Sequence, residues 1–218
     1  MMLRSTFTFA TLLALSFLFN EAHGFWFGKM VIGYATVSKE EAEKINEHNK
    51  LYEHDKLHVT ESASPTQLGP GVYMVNKPDI WKGEGGSWYC AIKASKWQMK
   101  KIRKAYIPRS LLKLESGVSR RIFLWNQDET VIVNYMSSEL WMRKPQKALR
   151  FSWVRRGYWE MQMLIPTDVV KKDKLDLWAK CFESEDELVR FSGDIINWAG
   201  TWGIKGDRGR PTLGAFRR

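Results

Sequence analysis

Hydrophobic and polar positions change period several times along the chain. Met30 to Val37 is apolar and rich in β-branched residues, which predicts a strand. Ser38, with Glu41 three residues on, forms a capping box that opens a helix over Lys39 to His48, ending near Asn49. Tyr52 to Gln67 is polar and reads as a loop; Val72 to Asn76 resumes as a strand and is broken at Pro78. From Ser87 to Ala94 the alternation puts Trp88, Cys90 and Ile92 on one face and Tyr89 and Ala91 on the other. Lys96 to Lys104 is basic and fits either a short helix or a strand. Arg121 to Trp125 predicts a strand, Gln127 to Met136 a short helix, and Ala148 to Val154 with Tyr158 to Ile165 a hairpin turning at Gly157. Val169 to Lys174 carries a weak helical pattern. Leu175 to Phe182 alternates as a strand does, and Ser184, with Glu187, caps a last helix over Glu185 to Phe191.

Strands outnumber helices, and the order lacks the regular alternation of parallel α/β folds. The class is α+β. Eleven tryptophans spread through the strands argue for aromatic packing between two sheets or for a broad aromatic-lined cleft, packing being the better reading for most of them; the expected architecture is two packed, mostly antiparallel sheets with a few short helices. A chain of 218 residues, 44% hydrophobic and 27% charged, excludes disordered, collagenous and coiled-coil classes, and two cysteines are too few for a disulfide-dense mini-protein or a zinc ribbon. There is no internal repeat and no linker that would divide two domains.

The first residues carry a different message. Arg4 precedes an uncharged apolar run from Phe7 to Phe19, and Ala22-His23-Gly24 offers small residues at the spacing a signal peptidase reads. Residues 1–24 therefore read as a secretory signal peptide, followed by one domain over 25–204 and a basic, mobile tail over 205–218. The apolar run is shorter than the ~20 residues a membrane-crossing helix needs, so no membrane span is expected. In an oxidising, extracellular compartment, Cys90 and Cys181 are expected to pair with each other and to close a loop of about 90 residues. Lys and Arg number 34 against 24 Asp and Glu, a net charge of +10. That balance favours nucleic acid, acidic polysaccharide or an anionic membrane surface without choosing among them.

Few constellations suit chemistry. His54 and His58 share one helical face and, with Glu53 or Asp55, have the donor types for a metal; the segment is polar and loop-like, so a solvated loop is the better reading of these residues and of His48. No Gly-x-Ser-x-Gly elbow accompanies them. Basic clusters at Lys100-Lys101, Arg103-Lys104, Arg120-Arg121 and Arg155-Arg156, with Trp97, Trp125, Trp153 and Trp159 nearby, lack a nucleic-acid motif and read as solvated faces able to guide docking onto an acidic partner. Leu68-Gly69-Pro70-Gly71-Val72-Tyr73 is a tight turn feeding a strand, where backbone can approach a ligand closely. Glu160 and Gln162 share one strand face, opposite Met161, Met163 and Ile165.

Taken in order, Val31 to Thr36, Leu68 to Val75 and Glu160-Met161-Gln162 resemble the ADP-ribosyltransferase superfamily. That pattern runs from a first strand bearing Arg or His, through a Gly-rich turn into a strand, to a late strand with a Gln/Glu-x-Glu pair. The assembly looks most like secreted ADP-ribosyltransferase-like proteins of filamentous fungi, many of them effectors directed at a host. The resemblance implies an ADP-ribosyltransferase-like fold and a nucleotide cleft lined by Tyr34, Ala35, Gly69, Gly71, Tyr73, Glu160 and Gln162. It also implies a monomer acting on a host protein, outside or inside host cells.

Two of the three anchor positions depart from the pattern. Active enzymes of this class cleave NAD through an oxocarbenium-like transition state, which a carboxylate on the late strand stabilises. Gln162 holds that place and brings no negative charge. Tyr34 and Ala35 fill the two registers open to the first-strand Arg or His. The implied function is a degenerate scaffold that binds a host target and needs no cofactor. Two alternatives stand beside it: an active NAD-dependent mono-ADP-ribosyltransferase using Glu160 after a two-residue shift of register, and a basic extracellular module for nucleic acid or polysaccharide.

Overall fold

The computed structural model describes residues 28–51, 67–80, 85–156 and 158–211. The signal peptide, His54, His58 and Gly157 lie outside the described residues.

β1 (Lys29–Val37) leads into α1 (Lys39–His48) through the expected capping box: the Ser38 hydroxyl accepts from the Glu41 amide, and the Glu41 carboxylate accepts from the Ser38 amide. Asn49 ends the helix in the left-handed conformation, with φ 53°. β2 (Gly71–Val75) and β3 (Trp88–Ser95) follow. The basic segment resolves into both of its readings, α2 (Lys96–Lys101) and then β4 (Lys104–Tyr106). β5 (Ser110–Glu115) and β6 (Val118–Phe123) pair as a hairpin. Asp128 then caps α3 (Glu129–Ser138) by accepting from the Thr130 amide. The long hairpin is β7 (Leu149–Arg156) with β8 (Tyr158–Pro166), followed by α4 (Thr167–Lys171), β9 (Trp178–Phe182), α5 (Glu185–Phe191) and α6 (Trp198–Thr201). The class is α+β.

Seven strands join in the order β4-β7-β8-β2-β1-β3-β9; β4–β7 is parallel and the other pairs are antiparallel, while β5–β6 stands apart. The two mostly antiparallel sheets expected are present in unequal form, one mixed sheet of seven strands and the two-stranded β5–β6 sheet. The join at the middle of the larger sheet is narrow. β1 is registered with β3 along its whole length, yet meets β2 at one pair, Tyr34 opposite Val75. The four strands on one side and the three on the other are therefore fastened at one point.

Alternation along the strands sends side chains to two cores. One contains Ile32, Met74, Cys90, Ile92, Phe151 and Met163, closed by Ala42 and Ile45 of α1, Val169 of α4 and Trp198 of α6. The other contains Tyr34, Tyr73, Val75, Ala91 and Leu164, closed by Ile132, Tyr135 and Met136 of α3 and Leu188 of α5. Cys90 and Cys181 lie directly opposite across β3 and β9 and form the disulfide expected of them. Tryptophan serves mostly as packing: Trp198 and Trp202 meet the Phe151 ring edge-on, with centroids 5.4 and 6.1 Å away.

Both outer strands are covered, which keeps their open backbone groups from pairing with another chain. On β9, the Asn46 amide of α1 donates to the Cys181 carbonyl at 3.0 Å and accepts from the Cys181 amide at 2.8 Å. On β4, Lys205 takes the edge, with Lys205 N donating to Lys104 O and Tyr106 N donating to Lys205 O. Trp153 Nε1 then donates to Gly209 O at 3.1 Å, and the Arg208 guanidinium lies 4.3 Å from the Trp153 ring centre. The segment from Lys205 to Gly209, expected to be part of a mobile tail, is docked on the sheet, because Gly206 and Gly209 take positive φ and let the chain follow it.

Candidate functional site

The three segments singled out in the sequence become adjacent strands. β8, β2 and β1 are neighbours, and their register lines up Ser152, Gln162, Val75, Tyr34 and Ala91 in one row across the sheet. The next row holds Arg150, Leu164 and Tyr73. Tyr34, Tyr73, Glu160 and Gln162 therefore share a face, as alternation predicts. Ala35 does not: it turns into the opposite core.

Gln162 is 1% exposed. Its Nε2 donates to the Ser152 hydroxyl at 3.1 Å, and Gln67 Nε2 donates to the same hydroxyl at 3.0 Å and to the Trp153 carbonyl at 2.8 Å. Two amides thus share one hydroxyl acceptor inside a buried sheet face, the kind of pairing that lets buried amides be tolerated. Gln67 and Ser152 were not singled out from sequence. A hairpin turning at Gly157 already sets Ser152 opposite Gln162, so Ser152 was within reach of the sequence, whereas Gln67 ends a polar loop with nothing to mark it out.

Tyr34 is sealed as well. Its hydroxyl donates to the Asp194 carbonyl at 2.9 Å and lies 3.0 Å from the Ser192 hydroxyl, which pins the segment after α5 over β1. Burial holds its phenol above the ordinary tyrosine range, with the Ser192 hydrogen bond acting in the other direction. Tyr73 bolts the Gly turn: its hydroxyl accepts from the Leu68 amide and donates to the Gly69 carbonyl, both at 2.9 Å. Burial pushes that phenol up strongly.

The turn encloses protein, and its glycines answer to that. Gly71 has φ +146°, and a Cβ there would sit 2.1 Å from the Ile165 carbonyl oxygen of β8. Gly69 has φ +95°, and a Cβ would meet Arg150 Nη1 at 2.7 Å. Arg150, fully buried, reaches through the turn: Nη1 donates to the Leu68 carbonyl at 2.6 Å, and Nη2 pairs with Glu129 at the start of α3. Sequence reading missed this pair, although an arginine inside an otherwise apolar strand segment was a visible signal.

Glu160 is the one acid among the described residues expected to line the cleft. It is half-buried on the Gln162 face and pairs with Lys77 at 3.2 Å, while Lys77 also lies 3.8 Å from Asp79. No group of three or more His, Cys, Asp and Glu suited to a metal occurs among the described residues, and no helix among them is long and apolar enough to cross a membrane. Of the basic clusters, Lys104 is buried, whereas Arg120 and Arg121 stand exposed on the β5–β6 hairpin.

These features define an α+β protein built on a seven-stranded mixed sheet and a two-stranded one, with a buried, hydrogen-bonded polar row where the sequence placed a cleft. Residues 66–207 match a family described only as a family of unknown function (DUF5910), and since the match covers more than half of the chain, the protein belongs to that family. No curated protein matches the chain.

Proposed function

We propose that this is an exported, catalytically degenerate ADP-ribosyltransferase-like protein, of the kind filamentous fungi direct at a host, and that it acts by binding a target. The observation that carries the proposal is the state of Gln162. A catalyst of NAD cleavage needs an anion facing the ribose, and the residue at that position is a neutral amide committed to Ser152 behind Gln67. The adjacency of β8, β2 and β1, joined at Tyr34–Val75, supports kinship with the scaffold. The filled face supports loss of the reaction.

A binding role needs a surface, and the β5–β6 hairpin offers one. Leu112, Leu114 and Phe123 share a hairpin face with Arg121, and Leu114 is 72% exposed. Arg109 lies over the Phe123 ring at 5.6 Å. Apolar side chains framed by arginines fit a host protein presenting an apolar groove with acidic margins.

Glu160 favours a second reading, an active transferase, because it is an accessible carboxylate two residues from Gln162 on the same face. An NAD hydrolysis and transfer assay on the secreted protein separates the two. The binding reading predicts no turnover above the buffer rate. Turnover that disappears in Glu160→Ala overturns it.

A further inference from the structure

On the face of the sheet opposite Gln162, a cavity of about 630 Å³ opens between α2 and the end of α6. Met30, Met99 and Trp202 supply its apolar walls; Lys96, Lys100 and Lys104 supply its charge, and none of the described residues lining it is acidic. Lys96 and Lys100 stand one helical turn apart on α2 with exposed side chains, so their ammonium groups can reach over the mouth. Lys104 sits deeper and is buried. Its Nζ donates to the Met99 and Ile102 carbonyls and lies 6.0 Å from the centre of the Trp202 ring. Two carbonyls and a ring face orient that ammonium without neutralising it.

We propose that this cavity is a binding site for an amphipathic anion: an apolar chain or ring carrying one carboxylate or phosphate head. The apolar body would lie against Met30, Met99 and Trp202, where its burial supplies most of the affinity. The head would face the three lysines, which act as point charges suited to either anion. Burial lowers the affinity of the Lys104 amine for its proton, as expected of an ammonium without a carboxylate partner, and an arriving anion would relieve that penalty. The volume lies within the usual range for small-molecule sites, roughly 300–1,000 Å³. This site does not depend on the nucleotide-scaffold reading, since Gln162 and Glu160 lie across the sheet.

The test is calorimetric titration of the secreted protein with decanoate, decyl phosphate, decanol and inorganic phosphate, each below its micelle concentration. Decanoate or decyl phosphate, or both, should bind with one-site stoichiometry, and the tighter of the two identifies the head group. Decanol and inorganic phosphate should each bind at least about tenfold more weakly, because each lacks one half of the recognition. The Lys96→Glu/Lys100→Glu variant changes exposed positions only, and should keep its melting temperature while losing at least about tenfold in affinity for the anion. Equal binding of decanol, unchanged affinity in that variant, or no binding of either anionic amphiphile overturns the proposal.

Discussion

Arg150 and Glu129 make an asymmetric pair, and the asymmetry predicts which half is the more costly to remove. The guanidinium is fully buried, while the Glu129 side chain keeps 37% of its surface in water. Replacing Arg150 by Met leaves a half-hydrated carboxylate and an unpaired Leu68 carbonyl. The carboxylate recovers most of its solvation, and the lost charge-assisted bond costs about 1.5–3 kcal/mol. Replacing Glu129 by Leu instead strands a cation with no route to water, which costs about 3–5 kcal/mol. The more accessible residue is thus the more sensitive one. The double variant removes charge and partner together and should be more stable than Glu129→Leu alone. Urea unfolding with the disulfide intact measures all three. For a domain of this size each kcal/mol moves Tm by roughly 2–4 °C, so Glu129→Leu should melt at least about 6 °C low. If Arg150→Met proves the more damaging, or if the double variant is the worst of the three, the reading of a buried cation held by one carboxylate is wrong.

Three further outcomes follow from the same structure. Replacing Cys90 and Cys181 together by serine opens a loop of 91 residues, and the chain-entropy model puts the loss at about 4–5 kcal/mol, readable by denaturant unfolding. Gly71→Ala should destabilise by at least about 3 kcal/mol, because the new Cβ meets the β8 backbone at φ +146°; a melting temperature within 2 °C of wild type, on the order of 1 kcal/mol, contradicts this. Hydrogen bonds from Thr130 hold the Asp128 carboxyl below the usual carboxylate range. Its contribution is complete above the unfolded-state value and is lost as pH falls through the folded one, so wild type should lose more stability on acidification than Asp128→Asn, whose amide caps at any pH. Equal acid sensitivity of the two melting curves contradicts that reading.

Local signals in the chain carried much of the fold. The capping residues Ser38 and Ser184 marked two helix starts, and the alternation of Trp88 to Ile92 assigned each side chain to its correct core, because both depend on near neighbours. Cys90 and Cys181 could be paired because two cysteines leave one intramolecular choice. The joining of seven strands in one sheet was not legible, since it rests on one long-range register, Tyr34 against Val75, which no local pattern encodes. Of the β5–β6 hairpin, β6 was anticipated only in part, as a strand over Arg121 to Trp125, and β5 escaped notice because its leucines face solvent, against the usual alternation. At the site, the shared face of Glu160 and Gln162 was readable from their spacing. That Gln162 is sealed was not, because Gln67 closes over Ser152 from a loop 85 residues earlier in the chain.

Calorimetric titration of the protein with NAD tests directly whether the Gln162 face still admits a dinucleotide. A face closed by Ser152, Gln67 and the segment held by Tyr34 predicts no saturable heat, in wild type and in Gln162→Leu alike. One-to-one NAD binding that Gln162→Leu abolishes, while the variant keeps its melting temperature, would contradict it.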